Sequence, residues 1–304
     1  RVVSENTDTE EQIELCLGCK KMAAWGSDIY SAWLTWYNHK KQYPVWGFWT
    51  MNLCFDQPLG LGYKSNSQKI RVMSESWVND NIFCPVCGNA WISKLENNRP
   101  VADFQCPSCG EIFELKSKDG RIGRKISDGA YDTMISRITS MTNPDLLVMH
   151  YSSLQVVDLT VVPKFFFTPT VIEKRKPLSP TARRAGWVGC NILYGDIPEQ
   201  GRIPIIENQN FRSKDRIVQD YARIKRLQTG SIEKRGWLFD VLNCVNAIPT
   251  KDFYLKDIYV FADKLKIQHP DNQNIEAKIR QQMQFLRDKG MIEFLERGHY
   301  RKLL

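Results

Sequence analysis

At 304 residues with 42% apolar content, the chain is long enough for two domains with real cores and too hydrophobic for a disordered polyampholyte. No apolar run reaches membrane-spanning length and no signal peptide is recognisable, so a soluble protein is expected rather than a membrane protein or a disulfide-framed secreted module. The net charge of +8 is uneven: residues 1–50 hold 5 Lys and Arg against 6 Asp and Glu, whereas residues 160–230 hold 13 against 6. That middle segment is the expected phosphate-facing surface, although a solvated charged face has the same composition.

Residues 1–50 begin with Arg and contain Trp25, Trp33, Trp36, Trp46 and Trp49. They are expected to be upstream or leader sequence with Met51 as the natural start, the alternative being an accessory element that packs its tryptophans. Cys16 and Cys19 form a C-x-x-C there, but only Cys54 lies near them, too few thiols for a closed four-ligand site, so the pair is read as incidental.

Residues 84–116 carry the chemistry. Cys84-x-x-Cys87 and Cys106-x-x-Cys109 are separated by eighteen residues, and each pair has a proline inside it and a glycine after it (Pro85 and Gly88, Pro107 and Gly110). This is the pattern of a two-knuckle, four-cysteine zinc site; buried free thiols or two disulfides are the plainer alternative, and disulfides would need an oxidising compartment. Residues 101–104 and 112–116 read as short strands joined by the second knuckle. Period-two alternation puts Glu114 and Lys116 on one face and Phe113 and Leu115 on the other, and strand pairing brings Asp103 beside Glu114. Two converging carboxylates suit Mg²⁺ and a lysine suits an attacking water, so Asp103, Glu114 and Lys116 are the candidate catalytic set, with Asp103 and Glu114 as metal ligands. A solvated strand with an ordinary Glu/Lys pair is the bland alternative.

Ala130, Met134, Ile138 and Met141 then fall on one helical face, with Asp128 the expected N-cap. Residues 146–149 and 156–162 read as buried strands, so a mixed sheet flanked by helices, an α/β (α+β) core, is expected. Residues 174–187 form a basic loop, with Lys174, Arg175, Lys176, Arg183 and Arg184 followed by Trp187. Such a loop suits phosphate clamping with a wedge or stacking ring, although a lone tryptophan is more often core. Cys190 and Cys244 read as small buried hydrophobes.

Residues 229–304 read as a winged helix. Trp237, Val241 and Val245 make one helical stripe; Ile258, Phe261 and Leu265 a second; Ile275, Ile279 and Leu286 a third. The third helix is expected to show Lys278, Arg280, Gln281, Gln282 and Gln284 to the major groove, and a hairpin turning at Arg297-Gly298 follows as the wing, with Arg297 as a further DNA contact. A protein-binding module would have the same outline.

Several stretches carry a family resemblance. They are Asn98-Arg99-Pro100-Val101-Ala102-Asp103-Phe104, the following knuckle, Phe113-Glu114-Leu115-Lys116-Ser117-Lys118, Asp128-Gly129-Ala130-Tyr131, Pro180-Thr181-Ala182-Arg183-Arg184-Ala185-Gly186-Trp187 and Lys278-Ile279-Arg280-Gln281-Gln282. In this order they resemble the DpnI-like methyl-directed type II restriction endonucleases, over residues 51 to 304. The resemblance implies a PD-(D/E)xK restriction-endonuclease-like domain at 51–228, with an inserted four-cysteine zinc site, and a winged helix at 229–304. It also implies an enzyme that cuts double-stranded DNA to blunt ends at GATC carrying N6-methyladenine; beside it, Mg²⁺ as the catalytic cation, the bacterial cytoplasm and a monomer in solution are expected, with the oligomeric state on DNA open. The resemblance makes Asp103, Glu114 and Lys116 catalytic, Cys84, Cys87, Cys106 and Cys109 zinc ligands, and Trp187 a contact to methylated DNA. The chain departs from the pattern in its first fifty residues and at Tyr254, where a small capping hydroxyl is expected before a helix. A non-catalytic zinc and winged-helix regulator, in which Asp103 and Glu114 only support the knuckle, is the competing function.

Overall fold

A computed structural model describes residues 52–96 and 102–303. The expectations for residues 1–50, for the Cys16/Cys19 pair, for Met51 and for residues 98–101 lie outside the described residues. The first helix, α1 (Asn66–Asn81), has no internal Gly or Pro and buries Met73, Trp77 and Val78 along one side. Trp77 donates its indole N–H to the Asn52 carbonyl at 2.7 Å, which ties the start of the described chain to this helix.

Among the described residues the main sheet has seven strands: β1 (Ser93–Lys94), β2 (Phe104–Gln105), β3 (Ile112–Asp119), β5 (Asp145–Ser152), β6 (Gln155–Val162), β9 (Ile203–Glu207) and β10 (Asn210–Phe211), hydrogen-bonded in that order. β2 and β3 are antiparallel with Phe104 opposite Phe113, and β3 runs parallel to β5 with Glu114 opposite Leu146. The central position of β5 explains its unbroken run of buried Leu146, Leu147, Val148 and Met149. Its first residue, Asp145, is buried, accepts from the Tyr221 hydroxyl (2.7 Å) and the Lys164 N–H (2.8 Å), and has its pKa pushed up to about 7 by burial. Tyr221 belongs to α3 (Lys214–Lys225), so this buried carboxyl fastens α3 to the sheet.

A second sheet joins β4 (Ile126–Ala130), β8 (Gly189–Ile192) and β7 (Ile172–Lys174). Here one expectation is corrected: Asp128 is no helix cap. The helix α2 (Tyr131–Ser140) starts three residues later, with Ala130 as N-cap and no side-chain capping bond. Asp128 lies in β4 before a bulge that separates it from Ala130, and its carboxylate is taken by a lysine described below.

The carboxy-terminal part is a winged helix built from α4 (Ile232–Ala247), β11 (Asp252–Tyr254), α5 (Leu255–Tyr259), α6 (Ala262–Gln268), α7 (Ile275–Asp288), β12 (Ile292–Glu296) and β13 (His299–Lys302). The single second helix expected through Ile258, Phe261 and Leu265 is in fact two short ones, α5 and α6, broken at Val260 and Phe261. The break lets Ile258 and Leu265 both reach the core and leaves Val260 exposed. β11 is an additional strand against β13; three residues with polar Asp252 give too little alternation to signal it. Tyr254 occupies the N-cap position of α5 without a side-chain capping bond; its backbone N–H donates to the Asp257 carboxylate at 2.7 Å while its ring stacks on His299.

From Trp237 to Leu242 every residue of α4 is buried, which requires partners on both sides. One side packs on α7. The other meets the sheet-bearing part: Phe239 stacks on Phe166 at 4.4 Å, Asn243 donates to the Asp196 carbonyl at 2.7 Å, and Asn246 and Gln200 exchange amide hydrogen bonds. Buried Arg235 donates to the carbonyls of Thr229 and Ile138. The winged helix is therefore joined to the sheet domain by apolar stacking and paired amides, and from Asn52 onward the chain forms one compact unit.

Candidate active site and metal centre

The four knuckle sulfurs converge. Cys84 and Cys106 are buried, Cys87 and Cys109 exposed, and all four Sγ atoms lie within 4.8 Å of one another. Cys84 and Cys109 are 3.7 Å apart and Cys87 and Cys106 3.6 Å, far beyond a disulfide and near the ~3.8 Å edge of a tetrahedron with Zn–S of ~2.3 Å. Each knuckle turns through a left-handed glycine, Gly88 and Gly110, whose N–H bonds back to the carbonyl of the first cysteine. This donor set can hold zinc. Although desolvation opposes it, the N–H of Asn89 and the neighbouring thiols bring Cys87 down to about 7, whereas burial pushes Cys84 and Cys109 up.

The second knuckle is also the turn between β2 and β3, and it sets the two carboxylates. Cys106 N–H bonds Glu111 O, Asp103 N–H bonds Phe113 O, and Leu115 N–H donates to Asp103 Oδ2, each at 2.8 Å. Asp103 is thereby fixed one residue before β2, facing Glu114 and Lys116 on β3. Burial raises the pKa of Asp103, with Glu75 adding to it and the Leu115 N–H opposing. Burial likewise raises Glu114, with Asp128 adding to it and Lys116 opposing. Lys116 Nζ sits 2.6 Å from both Glu114 Oε1 and Asp128 Oδ1; burial works against its charge, but the two carboxylates outweigh that and raise its pKa.

Asp103 and Glu114 form a pair of partly desolvated carboxylates, a donor set that fits a hard divalent cation keeping several of its waters. An open groove of about 860 Å³ runs past them between α1 and β3, lined also by Arg71, Glu75, Lys116 and Lys118. A cavity of about 230 Å³ lies against the same pair and Asp128.

Two acidic residues here were not anticipated from sequence. Glu75 on α1 is 4% exposed and bridges Arg71 (2.6 Å) and Lys94 (2.8 Å). Only its i,i+4 spacing from Arg71 signals it. Asp128 lies in a stretch that carries the family resemblance, so a signal for it is present, but its place just before a helix equally suits a cap.

Residues 51–230 match the family model DpnI, described as the Dam-replacing family, and residues 233–302 match DpnI_C, the Dam-replacing HTH domain. The chain belongs to the DpnI family. It is thus a restriction endonuclease whose partner is DNA, with a nuclease-like domain followed by a DNA-binding winged helix. No helix among the described residues is long and apolar enough to cross a membrane.

The DNA-facing expectations for this family member divide. Trp187 is half-buried rather than core: its ring lies on the backbone of Gly189, where a Cβ would come within 2.8 Å of it, and the Arg184 guanidinium sits 4.5 Å from its centroid. Arg183 and Arg184 are exposed beside it. On α7, Gln281 and Gln284 are exposed, Arg280 is exposed and donates to the Tyr259 hydroxyl, and half-buried Lys278 lies over Trp237. Arg297 is exposed at the tip of the β12–β13 hairpin.

Gln282 is the correction. It is 1% exposed, because it falls three residues after Ile279 and four before Leu286 and so lies in the buried stripe, with its Oε1 lacking a partner. Gln282→Met is expected to raise the melting temperature by a few degrees, since a buried unsatisfied amide costs ~1–3 kcal/mol, and to leave DNA affinity unchanged. Calorimetry with a DNA titration checks both; a marked loss of affinity without loss of fold contradicts this placement.

Proposed function

We propose that the protein is a Mg²⁺-dependent endonuclease that cuts double-stranded DNA to blunt ends at GATC carrying N6-methyladenine, as part of restriction of methylated foreign DNA. Its domains are taken as 51–228 and 229–304, its site of action as the bacterial cytoplasm, and its solution state as a monomer. The observation that carries the reading is the convergence of Asp103, Glu114 and Lys116 on one open groove in a DpnI-family chain.

When bound, the cation lowers the pKa of a water and offsets charge on the phosphate. Asp103 is the fixed ligand, because the Leu115 N–H holds its orientation. Glu114 is the adjustable ligand, and Lys116 orients the attacking water and stabilises charge on the phosphate oxygens. The four cysteines hold structural zinc and so keep Asp103 and Glu114 in register.

Methyl recognition is assigned to two places. An N6-methyl group adds an apolar surface to the major groove and leaves one N6 hydrogen, which an aromatic wall and an amide acceptor can read. Trp187 supplies the wall; Gln281 and Gln284 on α7 supply amides, with Lys278, Arg280, Arg297, Arg183 and Arg184 for phosphates and base edges. The test is a duplex with one GATC, offered unmethylated, hemimethylated and fully methylated with Mg²⁺. Cutting of the fully methylated duplex at the same position on both strands is expected. Equal cutting of the unmethylated duplex refutes methyl direction, and staggered ends refute the blunt cut.

A further inference from the structure

Lys116 is shared between two carboxylates that reach it from different sheets. Glu114 is two residues away on the same strand, β3, whereas Asp128 comes from β4 in the second sheet, opposite Cys190 of β8. Both oxygens are 2.6 Å from the ammonium, and the Asp128 side chain is 8% exposed. If Glu114 alone held the ammonium, a cation arriving at Asp103 and Glu114 would compete with Lys116 for the same carboxylate. The second anion removes that conflict, because the ammonium keeps a charged, hydrogen-bonded partner when Glu114 turns away.

We propose that Asp128 is a positioning residue for phosphodiester cleavage, anchoring the Lys116 ammonium so that Glu114 is released to a divalent cation. This rests on the reading of Asp103 and Glu114 as cation ligands. Asp128 itself touches neither DNA nor cation; it acts through Lys116. Its place in β4 serves this end, since the bulge after Asp128 lets the strand pass into α2 while the carboxylate stays on the lysine.

The test uses the full chain with Mn²⁺ as probe, titrated by calorimetry into wild type, Asp128→Asn, Lys116→Met and the double variant. Asp128→Asn is expected to bind Mn²⁺ about tenfold more weakly than wild type, by analogy with the loss of partners that orient metal ligands. In the Lys116→Met background Glu114 has no ammonium to shed, so adding Asp128→Asn is expected to change Mn²⁺ affinity less than about twofold, the non-additivity of groups acting as a unit. In single-turnover cleavage of methylated duplex with Mg²⁺, Asp128→Asn is expected to lose about 10- to 100-fold in rate with an unchanged DNA-binding midpoint, and Asp128→Glu to recover most of that loss.

Wild-type Mn²⁺ affinity in Asp128→Asn, or an equal weakening in both backgrounds, overturns the anchoring role. If Asp128→Asn fails to fold, Asp128→Ser carries the same comparison. Failure of the wild type to bind Mn²⁺ and to cut sinks the nuclease reading as well, whereas a wild type that binds and cuts beside an unaffected Asp128 variant sinks this inference alone.

Discussion

Glu114→Ala and Lys116→Ala are each expected to lower cleavage by about 10³-fold or more, at the upper part of the range for removing one group that acts on the reacting atoms, while DNA is still bound. The separation follows from geometry. Both side chains lie at the wall of the groove rather than in the core, about three-quarters buried. The cations of the Trp187 loop and of α7 that we propose for phosphate contact are untouched. Single-turnover cleavage beside a DNA titration reads the two effects apart, and retained turnover in either variant removes that residue from the site.

The raised pKa values of Asp103 and Glu114 give this prediction a pH dependence. A carboxyl must be ionised to hold a cation, so activity is present above the raised pKa and is lost as pH falls through it. The acid limb of the rate profile is therefore expected above the ordinary carboxylate range, and it should move to lower pH as the cation concentration rises.

The largest effect on stability is expected from Cys106→Ser. Structural zinc contributes on the order of 10 kcal/mol in small metal-dependent domains, comparable with the whole stability of a typical domain, ~5–15 kcal/mol. Cys106 is buried, and the chain from Cys106 to Gly110 is the turn that pairs β2 with β3. Its loss should leave insoluble or unfolded protein rather than a folded inactive enzyme. Elemental analysis of the folded wild type is expected to give one zinc per chain, and folded wild type free of zinc contradicts the assignment. EDTA should stop cleavage at once by removing Mg²⁺ from two carboxylates, well before zinc leaves four thiols.

The legible parts of the fold and site are those whose partners lie close in sequence. Cys106 and Cys109 sit on the hairpin that carries Asp103 and Glu114, so spacing and period-two alternation locate the knuckle and the acidic pair together. Trp237, Val241 and Val245, or Ile279 and Leu286, mark their helices by period alone. What period could not reveal is which anion finds Lys116, because Asp128 arrives from another sheet, and its position just before a helix offered a competing reading as a cap. Glu75 is similar, being tied to Lys94 across the fold. Gln282 failed for a different reason: its amide suggested an adenine contact, while the helical period beside Ile279 and Leu286 had already placed it inside. The seating of α4 against Phe166 was signalled by six consecutive residues, Trp237 to Leu242, too uniformly apolar for a helix with one face in water; only Asp240 interrupts them, and it is paired with His269.

This DpnI-family chain is expected to cut adenine-methylated DNA with a divalent cation held by Asp103 and Glu114. The most direct test is the purified full chain, with and without Mg²⁺, on one plasmid prepared from an adenine-methylating and from a non-methylating bacterial host. Discrete fragments whose sizes match the GATC map are expected from the methylated plasmid only, and only with Mg²⁺. Fragments from both plasmids, fragments in EDTA, or tight binding of the methylated plasmid with no cleavage under any divalent cation would contradict that expectation.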